Sequence, residues 1–207
     1  MNKMAAALDQ AGYRTINLDY PSRKASIESL AMRFIPDALQ QCSLATCETI
    51  HFVTHSMGGI LLRHYLSRQP IERLGRVVML SPPNGGSEVV DALKDNWFFR
   101  WYNGPAGQQL DTGPDGIAAR LGPVDYPVGV ITGNVHAFFD THFSEIIPGA
   151  DDGKVSVKRA AVKGMRDMLV LPYAHPFILG EREVILQTMH FLSRGTFLRP
   201  QGLENSE

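Results

Sequence analysis

A chain of 207 residues, 44% hydrophobic and 20% charged, has the size and composition of one soluble globular domain with a sizeable core. Its net charge of -1 gives no general attraction to nucleic acid or to an anionic membrane, and no apolar run approaches the length of a membrane span. No signal peptide opens the chain as written, which reads as cytoplasmic, and Cys42 and Cys47 lack metal-like companions; they fit a local disulfide or two free thiols.

Met1 to Gly12 reads as an amphipathic helix, with Met4, Ala5, Leu8 and Ala11 on one face and Gly12 as its stop. Tyr13 to Tyr20 alternates and reads as a strand ended by Pro21. Ser22 to about Gln41 carries apolar residues at helical spacing, with Ser26 as N-cap; Pro36 predicts a kink or two short helices. Ile50, Phe52 and Val53 form a short buried strand. A tight turn follows, Thr54-His55-Ser56-Met57-Gly58-Gly59, and then Ile60, Leu61, Leu62, Tyr65 and Leu66 at helical spacing.

Val77-Val78-Met79-Leu80 reads as a buried parallel strand that exits through the turn-rich Ser81 to Ser87. Val89, Val90 and Leu93 open the next helix. Asp95 to Tyr126 is the least regular stretch and holds a dense aromatic patch, Trp97, Phe98, Phe99, Trp101 and Tyr102. Val128 to Gly133 is a third strand, Asn134 to Ile147 a long excursion with His136 and His142, and Met168 to Leu171 the last strand. Glu183 to Arg194 is a closing helix.

Strand, sharp turn with one serine, then helix resembles the nucleophile elbow of the α/β-hydrolase superfamily, whose pattern is G-x-S-x-G. The matching residues are Thr54-His55-Ser56-Met57-Gly58, with Thr54 standing where the first glycine is usual. The resemblance covers nearly the whole chain in element order. It implies an α/β fold, a mostly parallel sheet flanked by helices. Residues 1–197 would be a single domain with a cap- or lid-like insertion around 95–126, and 198–207 a flexible tail. Pro83-Asn84-Gly85-Gly86-Ser87 resembles a Pro-Asn-x-Gly-Ser loop of some bacterial lipases and equally fits an ordinary strand-to-helix turn.

A serine hydroxyl is a poor nucleophile at neutral pH. It needs a neutral imidazole within hydrogen-bond reach and a carboxylate to orient that imidazole. In this superfamily the chain order is Ser, then Asp or Glu, then His. Ser56, Asp152 and His175 meet that order, with His175 just past the last strand. Asp152-Gly153-Lys154-Val155 resembles the acid loop of the lipase-like branch; Asp151 is the rival acid. His136 and His142 precede the acid and so break the order. His51, His64 and His190 read as structural or surface residues, and His55 as a packing residue beside the site. The backbone N–H of Met57 is the expected oxyanion donor. Trp97, Phe98 and Trp101 are candidate walls of an apolar substrate pocket.

In the superfamily a strand and a His-Gly loop precede the first helix and supply a second oxyanion donor. The sequence reads as an N-terminally truncated member that lacks both. An upstream start codon, a degenerate fragment and a re-paired sheet each account for it, the first most simply. Losing one oxyanion donor costs about 10²–10³ in turnover, so the form as written is expected to be impaired. The implied activity is that of a serine ester hydrolase, lipase/esterase-like, acting on a small-molecule or lipid-like ester. No metal or organic cofactor, nucleic-acid partner or integral membrane segment is implied. Acyl transfer from the same acyl-enzyme, or a non-catalytic remnant, are the alternatives.

Overall fold

The structure is a computed structural model that describes residues 1–42, 47–137 and 146–199, apart from the side chains of 98–100 and 102. Four strands, β1 (Ile50–His55), β2 (Leu74–Leu80), β3 (Val128–Gly133) and β4 (Asp167–Leu171), form one sheet in the order β1-β2-β3-β4. Every pairing is parallel. Sequential parallel strands require crossovers, and helices supply them. α1 (Asn2–Gln10) and α2 (Ile27–Gln41) precede β1, the crossovers carry α3 (Met57–Leu66), α4 (Glu88–Leu93), α5 (Trp97–Gln108), α6 (Ile117–Leu121) and α7 (Val157–Ala160), and α8 (Arg182–Arg194) follows β4.

The period of two along β2 and β3 divides the core into two layers. Val77, Met79, Val128 and Val130 face a layer built on α2 and α3, with Ile27, Leu30, Ile60 and Leu62. Val78, Leu80 and Ile131 face the other layer, with Met4 and Leu8 of α1 and Val184, Phe191 and Leu192 of α8. Both faces of the central strands are therefore covered, which is why Val77–Leu80 and Val128–Ile131 hold no polar side chain.

Three expectations are corrected. Tyr13 to Tyr20 is not a strand. Thr15 is held instead by Asp9 of α1, its N–H and hydroxyl both donating to Oδ1 at 3.1 and 2.8 Å. Tyr13 meets the His51 ring edge-on and Tyr20 meets Phe34, so the segment packs by side chains without entering the ladder. An alternating pattern becomes a strand only beside a partner with free N–H and C=O groups in register. Pro36 neither splits nor ends α2, which runs unbroken from Ile27 to Gln41. The carbonyl its ring deprives of a donor belongs to Met32, an exposed residue, so the lost bond lies on the solvent side of the helix. Leu198 and Arg199, expected in the tail, are tied to the body: Leu198 exchanges hydrogen bonds with Gln187, and Arg199 pairs with Asp167.

The irregular stretch contains α5, which is broken at Gly104 (φ 63°) ahead of Pro105. A side chain at Gly104 would overlap the Arg23 carbonyl, so glycine lets this segment lie on the chain after Tyr20. Cys42 and Cys47 are free thiols that face each other. Among the described residues, no helix is long and apolar enough to cross a membrane.

Candidate active site

β1 ends at His55, and the chain turns sharply into α3 through Ser56, held at φ 51° and ψ -128°. A non-glycine residue at positive φ is strained, and surrounding structure must hold it. The Ser56 N–H donates to Leu80 O at 2.8 Å, and Ser56 O accepts from Gly59 N at 3.0 Å. A Cβ at Gly59 would lie 3.2 Å from Pro82 Cβ, so a glycine there lets α3 sit close to the end of β2. Thr54 is accommodated where a glycine would be usual in this pattern: its Oγ1 faces that same gap, at 3.4 Å.

The Ser56 hydroxyl lies 3.0 Å from His175 Nε2, and His175 Nδ1 lies 2.9 Å from Asp152 Oδ2. His175 follows β4 on a short loop; its main-chain N–H donates to Asp152 O at 2.9 Å. Asp152 is fully buried, and its Oδ1 accepts from the N–H groups of Lys154 and Val155 at 3.0 and 2.9 Å. Burial alone would raise its pKa. The hydrogen bond and charge of His175, the Ser81 hydroxyl and the Val155 amide outweigh burial and hold Asp152 below the usual carboxylate range. An ionised Asp152 accepts from Nδ1–H, which leaves Nε2 as the acceptor toward Ser56.

Asp151, the rival acid, turns the other way. Its Oδ1 accepts from Gly153 N at 2.7 Å, and its Oδ2 lies 3.3 Å from His136 Nε2. His51 Nδ1 accepts from Arg76 N, and His190 Nδ1 donates to Thr196 O. His64 is buried on α3. His142 lies outside the described residues. Met57 opens α3, so its N–H is among the first four of the helix, which have no intrahelical acceptor.

Trp97 and Trp101 stand one turn apart on α5, 77% and 73% exposed; the Phe98 side chain lies outside the described residues. Cavities of about 400 and 380 Å³ are lined by Arg63, Leu121 and Tyr126 and by Ala7, Ile185 and Met189, among others, and share no residue with the Ser56 site. The Pro83–Ser87 loop serves as a brace. Asn84 is buried, donates to Ala160 O and accepts from Arg63, while the Ser87 hydroxyl donates to Lys154 O in the Asp152 loop.

Three further residues shape the site, Ser81 and Gly133 outside the triad motifs and His55 within the elbow. Ser81, at the end of β2, is fully buried at φ 47°; among the described non-glycine residues only Ser56 shares that region. Its hydroxyl finds no partner at full hydrogen-bond geometry, yet faces Asp152 closely enough to lower it. Gly133, at the end of β3, lies against Tyr173 and Asp152. His55 lies against His175, with ring centroids 4.8 Å apart. Ser81 and Gly133 are set by space, and their signal in the sequence is their place at strand ends; the elbow sequence places His55 beside the site as a packing residue, without its bond to His175.

No family model matches the chain, and no curated protein matches it. Solved structures do. The mature form of the Bacillus licheniformis lipase BlEst2 has a TM-score of 0.72 at 20% identity, over 94% of this chain and 84% of that one. A metagenomic carboxyl esterase has a TM-score of 0.65 at 19% identity, over 84% of this chain and 58% of that one. The bromoperoxidase of Bacillus anthracis has a TM-score of 0.56 at 14% identity, over 93% and 86%. The chain has the α/β-hydrolase fold.

Proposed function

We propose that the chain is a serine hydrolase that cleaves carboxylic esters through an acyl-enzyme on Ser56. One observation carries the reading: an unbroken line of hydrogen bonds from Ser56 Oγ through His175 to a buried Asp152, hung on a strained strand-to-helix turn. The lipase and the esterase among the structural neighbours support an ester as substrate class. The bromoperoxidase of the same fold makes the side-chain chemistry, and not the fold, the deciding argument.

In this reading Ser56 Oγ attacks the ester carbonyl carbon as its proton passes to His175 Nε2. Asp152 keeps hold of Nδ1–H and stabilises the imidazolium. The new oxyanion is met by the Met57 N–H and the positive end of the α3 dipole. The intermediate collapses, and the alcohol leaves with the proton from Nε2. Water then attacks the acyl group and gives a proton to Nε2. Collapse of the second intermediate frees the carboxylic acid, and Nε2 returns the proton to Ser56. The exposed Trp97 and Trp101 offer an apolar surface for the acyl group or its alcohol.

Intact-mass labelling with a fluorophosphonate tests this. One adduct on the wild-type chain, absent from Ser56→Ala, is expected; a series of esters of increasing acyl length then measures turnover. A folded wild-type chain that takes no adduct would overturn the reading.

A further inference from the structure

We propose that His55 is a positioning residue that fixes the His175 imidazole against Ser56. The inference rests on the serine-hydrolase reading for its activity readout, and on geometry for the rest.

His55 Nε2 lies 3.1 Å from the main-chain oxygen of His175, so it carries the proton and donates. The two rings are in contact, with centroids 4.8 Å apart and planes at 47°. His175 is thereby held at both main-chain groups: its N–H by Asp152 O and its C=O by His55. Its side chain is held at both nitrogens, by Asp152 and Ser56. His55 is covalently joined to Ser56. The hydrogen bonds therefore close a circuit from the nucleophile through its own neighbour to the base and back. A base on a loop after β4 gains its register to the serine from that circuit, and not from the strand alone.

The neighbour must be neutral to do this, because a second cation beside His175 would oppose formation of the imidazolium. Burial, reinforced by the charge of His175, drives the His55 pKa to about 3; the other charges felt there are Asp152 and the Met1 amino group. A neutral ring that donates one hydrogen bond and abuts the base is what the position provides.

The test is a variant series at 55 in the full chain, read by kcat and KM on a soluble ester. His55→Phe keeps a ring and loses the donor. His55→Gln places an amide N–H near the reach of Nε2, while the shorter amide of His55→Asn falls short of it. Expected are a fall in kcat of about tenfold to a hundredfold for His55→Phe, with KM within about twofold, and recovery of most of that loss in His55→Gln. Wild-type kcat in a folded His55→Phe, or a loss carried by KM alone, would overturn the proposal. If His55→Phe does not fold, the amide pair decides: kcat about tenfold higher for His55→Gln than for His55→Asn supports it, and equal values overturn it. A wild-type chain inert to esters and to fluorophosphonate defeats the hydrolase reading alone. The His175 imidazole resonances then decide, displaced in His55→Asn but not in His55→Gln for the proposal, unmoved in both against it.

Discussion

Gly133 and Asp152 approach so closely that a Cβ on Gly133 would stand 2.9 Å from Asp152 Cβ and would overlap the Tyr173 carbonyl. The end of β3 is thus the floor on which the acid loop and the base loop are both laid. Gly133→Ala adds one methyl group that has no space and meets backbone on one side, which cannot rotate away. Overpacking of this kind costs about 1–3 kcal/mol, and relief by moving the Asp152 loop would misplace the base. The expected outcome is a lower urea midpoint together with a loss of about a hundredfold in ester turnover. Unfolding curves and kcat measured on the same preparation check both.

Ser81 offers a separation of strain from chemistry. It holds φ 47° without being glycine, and its hydroxyl helps to hold Asp152 down. Ser81→Gly and Ser81→Ala both remove the hydroxyl, but only glycine adopts positive φ freely. Both variants are expected to lose kcat by up to about tenfold, the scale of one pKa unit of change at Asp152. Ser81→Gly is expected to be the more stable by about 1 kcal/mol. Equal stability of the two, or unchanged kcat in both, would contradict this account.

Much of the fold was legible because β2 and β3, buried on both faces, read as short apolar runs, and the edge strand β4 keeps an apolar run although it is only partly buried. The runs Val77–Leu80, Val128–Gly133 and Met168–Leu171 all lie in strands of the sheet. Ser56 and His175 were legible as candidates because each sits at a turn after an apolar run, and Asp152 because Asp152-Gly153-Lys154-Val155 resembles an acid loop, all in the chain order of the superfamily they resemble. The structure brings those side chains into hydrogen-bond distance. Tyr13 to Tyr20 was misread because alternation reports which side chains are apolar, not whether the backbone comes into register with the open edge of β1. Gly133, Ser81 and the contact of His55 with His175 depend on what lies across space, which no local pattern encodes.

The choice between the two adjacent aspartates is testable by exchange. Asp152 meets His175 Nδ1, whereas Asp151 meets His136 and the Gly153 amide. Asp152→Asn leaves the shape intact but puts an amide where Nδ1–H needs an anion, which favours the wrong tautomer of His175. Ester turnover is expected to fall by about 10³–10⁴, the scale of the equivalent change in serine proteases. Asp151→Asn is expected to keep turnover within about fivefold, since its partner is not part of the chain to Ser56; its effect falls on the stability of the buried turn, by about 1–3 kcal/mol. Parallel kcat and urea measurements on the two variants check this, and a reversed order of turnover would move the acid to Asp151.

Acid sensitivity follows from the same residues. His55 titrates near 6.5 in an unfolded chain and at about 3 in the folded one. Between those values the unfolded chain binds the proton and the folded chain does not, so stability falls as pH drops, by at most about 1.4 kcal/mol per pH unit. Asp152 also has a lowered folded pKa, so its contribution is complete above its unfolded value of 3.8 and is lost only below that, as pH falls through the folded pKa. His51 and His64, both lowered by burial, act in the same direction as His55. In the window from about pH 6.5 to about pH 4.5 the histidines therefore dominate, and the carboxylate is silent. His55→Phe removes one of these protons and leaves the others. Urea unfolding at about pH 7.5 and about pH 4.5 is expected to show a wild-type loss larger than the loss in the variant by up to about 3 kcal/mol. Equal losses would mean that His55 is already protonated in the folded chain, and a cation at that place would oppose the charge that His175 must carry.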